Sequence, residues 1–193
     1  MVVALKTLIG AHDLELVALA TAGDRRAFGE LVRRQGSAVR GLLRRMGADA
    51  TLSDDIAQDA FLAAFEQIGD FRGEGTFAAW VKRIAARLYV KRWRRDQRTD
   101  IMAETPEPDM GDTSPNAAAD KIDLDAALLT LSPVERLCVS LCYGAGWSHA
   151  EAAAALNTPL GTVKSHVKRG LDKLRARLAG KVDSDTREFP AHG

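Results

Sequence analysis

Trp80, Arg83, Arg87, Lys91 and Arg94 succeed one another at steps of three and four residues. At 100 degrees per residue that spacing lines them along one stripe of a helix, an aromatic ring beside a column of cations. Single-stranded nucleic acid is held by such a combination: bases stack on ring faces while cations follow the phosphates, each stack contributing about 1–3 kcal/mol. A lone tryptophan is also a common core residue, so Trp80 and the nearby Trp93 stay open to both readings. Just upstream, FRGEGTF places glycines where a loop capturing a flipped-out base needs unusual backbone angles.

A second basic set lies far along the chain, in SHAEAAAALNTPLGTVKSHVKRGLDKLRARL. Two helices, the first short and alanine-rich, are joined there by a turn, which is a helix-turn-helix layout. Val163, Val167, Leu171 and Leu174 form the expected buried stripe of the second helix, leaving Thr162, Lys164, Ser165, Lys168 and Arg169 on its other faces. In this motif the second helix enters the major groove, its early residues reaching base edges and later bases reaching phosphates. The plain alternative is a solvated basic face on an ordinary helical hairpin.

Between residues 49 and 71 the charge has the opposite sign, with Asp49, Asp54, Asp55, Asp59, Glu66 and Asp70 and no Lys or Arg, a net of −6. Residues 72–98 reverse it, nine bases against Glu74 and Asp96 giving +7, and residues 161–181 set seven bases against Asp172 for +6. The overall charge of +1 therefore conceals two basic elements suited to a polyanion and one acidic element suited to a basic protein. The acidic helix takes its apolar face from Ile56, Phe61, Leu62 and Phe65. A merely solvated acidic face is the competing reading.

Covalent chemistry finds no support. His12, His149, His166 and His192 are scattered, no phosphate loop or metal-ligand cluster is present, and Cys138 and Cys142 lack further ligands and read as ordinary thiols. No catalytic residue, metal site or cofactor is expected. No run approaches the roughly 20 apolar residues of a membrane span, and the opening MVVALKTLIGAH is too short for a secretory signal, so a cytoplasmic protein is expected.

The elements that must position these sets are all helical. From Leu14 to Arg98 apolar residues recur at helical spacing over about four helices, with interruptions at Gly23, Gly36, Gly47 and the cluster Gly69, Gly73 and Gly75. Residues 99–120 hold three prolines, six acids and no bases, a composition expected to form a flexible acidic linker. Asp120 is then placed to cap a helix through Leu131. Ser132 with Glu135, and Ser148 with Glu151, have the capping-box spacing ahead of two more helices, and Thr158 and Pro159 open the last. Residues 180–193 carry no apolar period and are expected to form a disordered tail.

The run LSPVERLCVSLCYGAGWSHAEAAAALNTPLGTVKSHVKRGLDKLR resembles region 4 of the extracytoplasmic-function sigma factors of the sigma-70 family, most sharply at GTVKS after Pro159. Residues 53–98 resemble region 2 of the same family almost without a gap. The resemblance implies an all-α fold of two small domains, a region 2 bundle over residues 1–98 and a region 4 helix-turn-helix over residues 121–179. It implies core RNA polymerase as partner, docked through its clamp helices on Asp54, Asp55, Gln58 and Asp59. It implies duplex -35 DNA at Thr162, Lys164, Ser165, Lys168 and Arg169, and melted -10 DNA at the stripe of Trp80, Arg83, Arg87, Lys91 and Arg94. An anti-sigma factor is the implied regulatory partner and the implied route of any membrane contact. The sequence departs from the family pattern at Arg87 and Lys91, where Asn and Asp are common, at His166, where Arg is common, and in the first helix of the turn motif, AEAAAAL. A free-standing helix-turn-helix regulator would share the C-terminal half but has no need of an acidic helix followed by a Trp-bearing basic one.

Overall fold

The computed structural model describes Leu8, residues 10–100 and residues 119–185; among them every regular element is a helix. The N-terminal unit comprises α1 (Asp13–Thr21), α2 (Arg25–Met46), α3 (Ala50–Glu66), a 3-10 turn (Ile68–Asp70) and α4 (Phe77–Asp100). The C-terminal unit comprises α5 (Ala119–Leu128), α6 (Pro133–Val139), a π turn (Ser140–Gly144), α7 (His149–Leu156) and α8 (Leu160–Asp185).

Local chemistry sets most of the boundaries. Asp24 accepts from the Arg26 N–H at 2.9 Å, Asp49 from Leu52 at 2.7 Å and Thr76 from Ala79 at 3.1 Å, so α2, α3 and α4 each begin on a side-chain cap. Both expected capping boxes form, Ser132 with Glu135 and Ser148 with Glu151. Gly47 ends α2 at φ 118°, a conformation natural to glycine. A Cβ there would lie 2.8 Å from the Arg136 guanidinium, which arrives from α6.

In the N-terminal unit α2, α3 and α4 bury Leu31, Val39, Leu43, Ala60, Phe77 and Val81, and α1 closes one side with Leu16. Arg34 fastens α1 to α2 by donating to Asp13 at 2.9 Å, to the Ala11 carbonyl at 2.8 Å and to the Leu8 carbonyl at 3.0 Å. In the C-terminal unit α6 and α8 pack so closely that a Cβ on Gly170 would stand 2.8 Å from Val139 Cγ2. The expected stripe of α8 is buried at Val163, Val167 and Leu174 and half-buried at Leu171.

The two units are not separate bodies: one continuous apolar core runs from the first into Leu137, Cys138, Leu141, Trp147, Ala152 and Leu156 of the second. Ser140 Oγ donates to the Arg45 carbonyl at 3.2 Å, and Arg45 pairs with Asp125 at 2.6 Å.

Several expectations need correction. Gly36 does not interrupt a helix; it is buried in the middle of α2, and the bundle, not the sequence, supplies the stabilisation that local propensity lacks there. Leu62 and Phe65 leave the core face, 56% and 38% exposed. Asp120 lies inside α5, which opens at Ala119 and ends at Leu128, so it is not the cap. The last helix continues to Asp185, past the expected tail boundary at residue 180. Of the expected linker, residues 99–120, the first two positions belong to the end of α4 and the last two to the start of α5, while residues 101–118, like residues 186–193 of the tail, lie outside the described residues.

Candidate nucleic-acid interface

α4 is positioned by its apolar face: Phe77, Val81 and Ile84 are buried and Leu88 half-buried. The opposite consequence of that burial is the stripe beside it. Arg87 and Lys91 are exposed, Trp80, Arg83 and Arg94 half-buried. Trp80 leans on Phe71 and Phe77, centroids 5.4 and 5.8 Å away, within an aromatic cluster that continues to Phe28 and Phe65. The loop before α4 takes positive φ at Gly73 (74°) and Gly75 (93°), the backbone angles that its glycines were expected to permit.

Two of the stripe's arginines already have partners across the domain boundary. Arg83 donates to the Gly146 carbonyl at 2.7 Å and pairs with Glu151, while Arg94 donates to the Ala155 carbonyl at 3.2 Å. Nothing in the sequence signals these pairs, because Glu151 reads locally as a capping residue. It performs both roles: its carboxyl is held below the usual range by the Ser148 backbone N–H and hydroxyl first, and by Arg83 after them.

On α8 the five polar residues Thr162, Lys164, Ser165, Lys168 and Arg169 are all exposed. Asn157, at φ 53° and ψ 46°, turns the chain between α7 and α8 and completes the helix-turn-helix. Ser165 Oγ donates to the Gly161 carbonyl at 2.9 Å and keeps its oxygen free to accept. Arg169 is drawn inward, 3.5 Å from Glu135 and 3.0 Å from His166 Nδ1. Glu135 is a hub that sequence reasoning recognised only as a cap. Buried beneath α8, it accepts from Lys173 at 2.7 Å, and that bond is the main cause holding its carboxyl below the usual range.

The acidic helix α3 presents two edges. Asp54, Asp55, Gln58 and Asp59 are all exposed, but Asp54 and Gln58 border a groove with Phe28, Phe61, Leu62, Phe65 and Arg40, the last 3.5 Å from Asp54. Asp55 and Asp59 border a second groove opposite Arg87, Lys91 and Trp147, where the two units meet. The four therefore share a helix and not one patch.

Among the described residues no group of three or more His, Cys, Asp or Glu could hold a metal ion, and no helix is long and apolar enough to cross a membrane. Burial pushes the Cys138 thiol up to about 11 and raises that of Cys142, which keeps both protonated and unreactive near neutral pH.

Comparison with known proteins places two family descriptions on these two units. The model for sigma-70 region 2 matches residues 31–99, and the model for sigma-70, region 4, matches residues 127–176. The chain is 32% identical over 181 residues to the RNA polymerase sigma-H factor of Pseudomonas aeruginosa, covering 86% of this chain and 94% of that one. It is 33% identical over 177 residues to the ECF RNA polymerase sigma factor SigE of Mycolicibacterium smegmatis, covering 85% of this chain and 67% of the relative. Among solved structures it is similar to CnrH, determined in complex with the cytosolic domain of CnrY, at 30% identity and a TM-score of 0.50 over 87% of this chain and 97% of that one. The fold is also that of the sigma factor RpoE of Bartonella quintana, solved with the anti-sigma factor NepR, at a TM-score of 0.56 and 23% identity over 79% and 96% of the two chains.

Proposed function

This chain belongs to the sigma-70 family of RNA polymerase sigma factors, as one of its extracytoplasmic-function members, and we propose that its two helical units divide promoter recognition between them. As a sigma factor it directs transcription initiation by core RNA polymerase. The N-terminal unit, residues 1–98, docks on the polymerase clamp through Asp54, Asp55, Gln58 and Asp59 of α3, with the exposed Leu62 and Phe65 covered on docking. Trp80, Arg83, Arg87, Lys91 and Arg94 of α4 then hold the melted -10 strand. The helix-turn-helix unit, residues 121–179, sets α8 into the major groove of the -35 element through Thr162, Lys164, Ser165, Lys168 and Arg169. The acidic stretch of residues 99–120 connects them.

No covalent step falls to this chain; bond formation belongs to the polymerase, and the chain's residues bind, orient and hold DNA apart. Its place of work is the cytoplasm. The structural relatives are a sigma factor with the cytosolic domain of CnrY and one with an anti-sigma factor, and this chain is likewise taken to have an anti-sigma factor as partner.

The observation that carries the reading is charge of opposite sign on adjacent exposed helices, acids on α3 and bases on α4. It suits simultaneous contact with a basic protein and a polyanion. The test is binding to core polymerase. Wild-type protein is expected to form a one-to-one complex, and the combined Asp54→Lys, Asp55→Lys and Asp59→Lys variant to bind at least about tenfold more weakly, since reversed charges face like charges across the contact. Unchanged binding of that variant removes the docking assignment.

A further inference from the structure

We propose that Glu135, Arg169 and His166 form a relay that makes His166 a further base-reading residue of the -35 helix, with one directed N–H donor aimed at a hydrogen-bond acceptor in the major groove. This rests on the reading of α8 as the -35 helix.

The relay is built from the inside outward. At its base is the carboxylate of Glu135, buried on α6. Its Oε2 accepts from Lys173 at 2.7 Å and from the Ser132 N–H at 3.2 Å, while Oε1 lies 3.5 Å from Arg169 Nε. α8 comes within reach because Gly170 has no side chain: an added Cβ would stand 2.8 Å from Val139 Cγ2 and 3.7 Å from Glu135 Cβ. The guanidinium then spans outward, its Nη2 lying 3.0 Å from Nδ1 of His166, one turn back along the helix. With Arg169 57% exposed and its ion pair long, the contact adds little stability. What it fixes is direction.

Where the proton sits follows from the chemistry of the two side chains. Arginine has donors only, so Nδ1 of His166 is the acceptor in this bond. An imidazole that accepts at Nδ1 carries its proton on Nε2. The half-buried ring is therefore left with one donor, on the side away from Arg169, and its tautomer is set by contacts anchored in the interior. Arginine, the common residue of the family at this position, could not take this part, because one guanidinium offers no acceptor to another.

Thr162, His166, Arg169 and Lys173 succeed one another at steps of four, three and four, so they share one edge of α8. Thr162 and His166 are the members nearer the N-terminus, where a recognition helix reaches base edges. In the major groove guanine offers N7 and O6, adenine N7 and thymine O4 as acceptors, whereas cytosine offers only its amino group. A single donor at Nε2 thus accommodates three bases and rejects cytosine.

The test is transcription by the full-length protein with core polymerase from a promoter library randomised at the -35 element, read by sequencing a barcode in each transcript. Wild type is expected to show one position at which cytosine on one strand is depleted about fivefold, the value of one hydrogen bond of ordinary strength. His166→Ala should abolish that depletion and leave the ranking at other positions as it was. Arg169→Ala should reduce it about twofold at the same position, and in the His166→Ala background should change that position no further. Arg169→Lys, which keeps a donor for Nδ1, should restore part of what Arg169→Ala loses. Glu135→Gln should act at the same position and more weakly.

An unchanged ranking in His166→Ala overturns the inference, as does an equal loss on every sequence, which would make His166 a phosphate contact. A loss in Arg169→Ala at a different position overturns the relay, because Arg169 then reads a base of its own. In each of these cases an altered -35 preference in Lys164→Ala leaves the -35 reading intact; if no variant of α8 alters that preference, the -35 reading falls with the inference. Helix content by circular dichroism identifies a variant that has unfolded, and His166→Ala and Arg169→Ala, neither of which removes a fully buried group, then decide the matter.

Discussion

α4 and α8 both carry bases on their exposed sides and each has some of them engaged, but the partners differ: Arg169 of α8 is held within its own unit, Arg83 and Arg94 of α4 by the neighbouring one. The bases of α8 at Lys164 and Lys168 are exposed, while Arg83 and Arg94 of α4 are engaged by the neighbouring unit. The difference comes from what each helix has beside it. α8 packs its buried stripe on α6 and α7 and turns the rest outward, whereas α4 lies along the boundary that α7 closes. Two helices with one kind of chemistry are thus presented unequally: Lys164 and Lys168 of α8 face outward, whereas two of the four cations on the α4 stripe are held by the neighbouring unit.

The largest effect that would sharpen this contrast belongs to Lys164. If it reads a base edge, Lys164→Ala costs about 1–3 kcal/mol at promoters with an intact -35 element and much less where that element is scrambled. Comparing run-off transcription from the two templates decides it, and equal losses would make Lys164 a phosphate contact. Arg169→Ala is expected to have a smaller effect on the same templates, because its guanidinium is already held by Glu135 and His166.

Next in size is the support beneath α8. Gly170→Ala forces a methyl group against Val139, and overpacking of this kind costs about 1–3 kcal/mol. Thermal unfolding should register the loss, and an unchanged midpoint would mean that α6 and α8 part more easily than their packing indicates.

The double change Arg87→Asn and Lys91→Asp tests the exposed middle of the α4 stripe. Removing three units of positive charge weakens all promoters and flattens the salt dependence if these residues only follow the backbone. A re-ranking of promoters in a library randomised at the -10 element is the expected result, and a preserved ranking would confine sequence reading to the FRGEGTF loop.

The smallest effect concerns Glu30, whose carboxyl is lowered to about 2, first by its hydrogen bond from Arg33 and then by that from Arg34. A carboxylate with a depressed folded pKa adds stability above its unfolded value, and that stability is lost as the pH falls toward the folded one. Glu30→Gln should therefore be less stable than wild type near neutrality, with the gap closing between about pH 4.5 and pH 2. A gap that persists at the acid end would trace to packing instead.

What could be read from the sequence was whatever is decided within a turn or two of helix. Ser132 with Glu135 and Ser148 with Glu151 announced their capping boxes, and the apolar period placed Val163, Val167 and Leu174 correctly. What could not be read depends on partners distant in the chain. Glu151 meets Arg83 across 68 residues, and Glu135 meets Lys173 across 38. Gly36 looked like a break because propensity is local, while the burial that holds it in α2 is tertiary. Leu62 and Phe65 obey the apolar period of α3 and yet face outward. Periodicity identifies an apolar face without saying whether the same chain covers it.

The most direct test of the central claim is reconstituted transcription from genomic DNA by core polymerase with and without the protein, followed by mapping of start sites. The account predicts discrete starts that appear only with the protein, each preceded by a -10 and a -35 element, and lost when Lys164 and Lys168 of α8 or Arg87 and Lys91 of α4 are replaced by alanine. Tight sequence-specific binding of duplex DNA by the protein alone, with no new start sites in the presence of core polymerase, would contradict it.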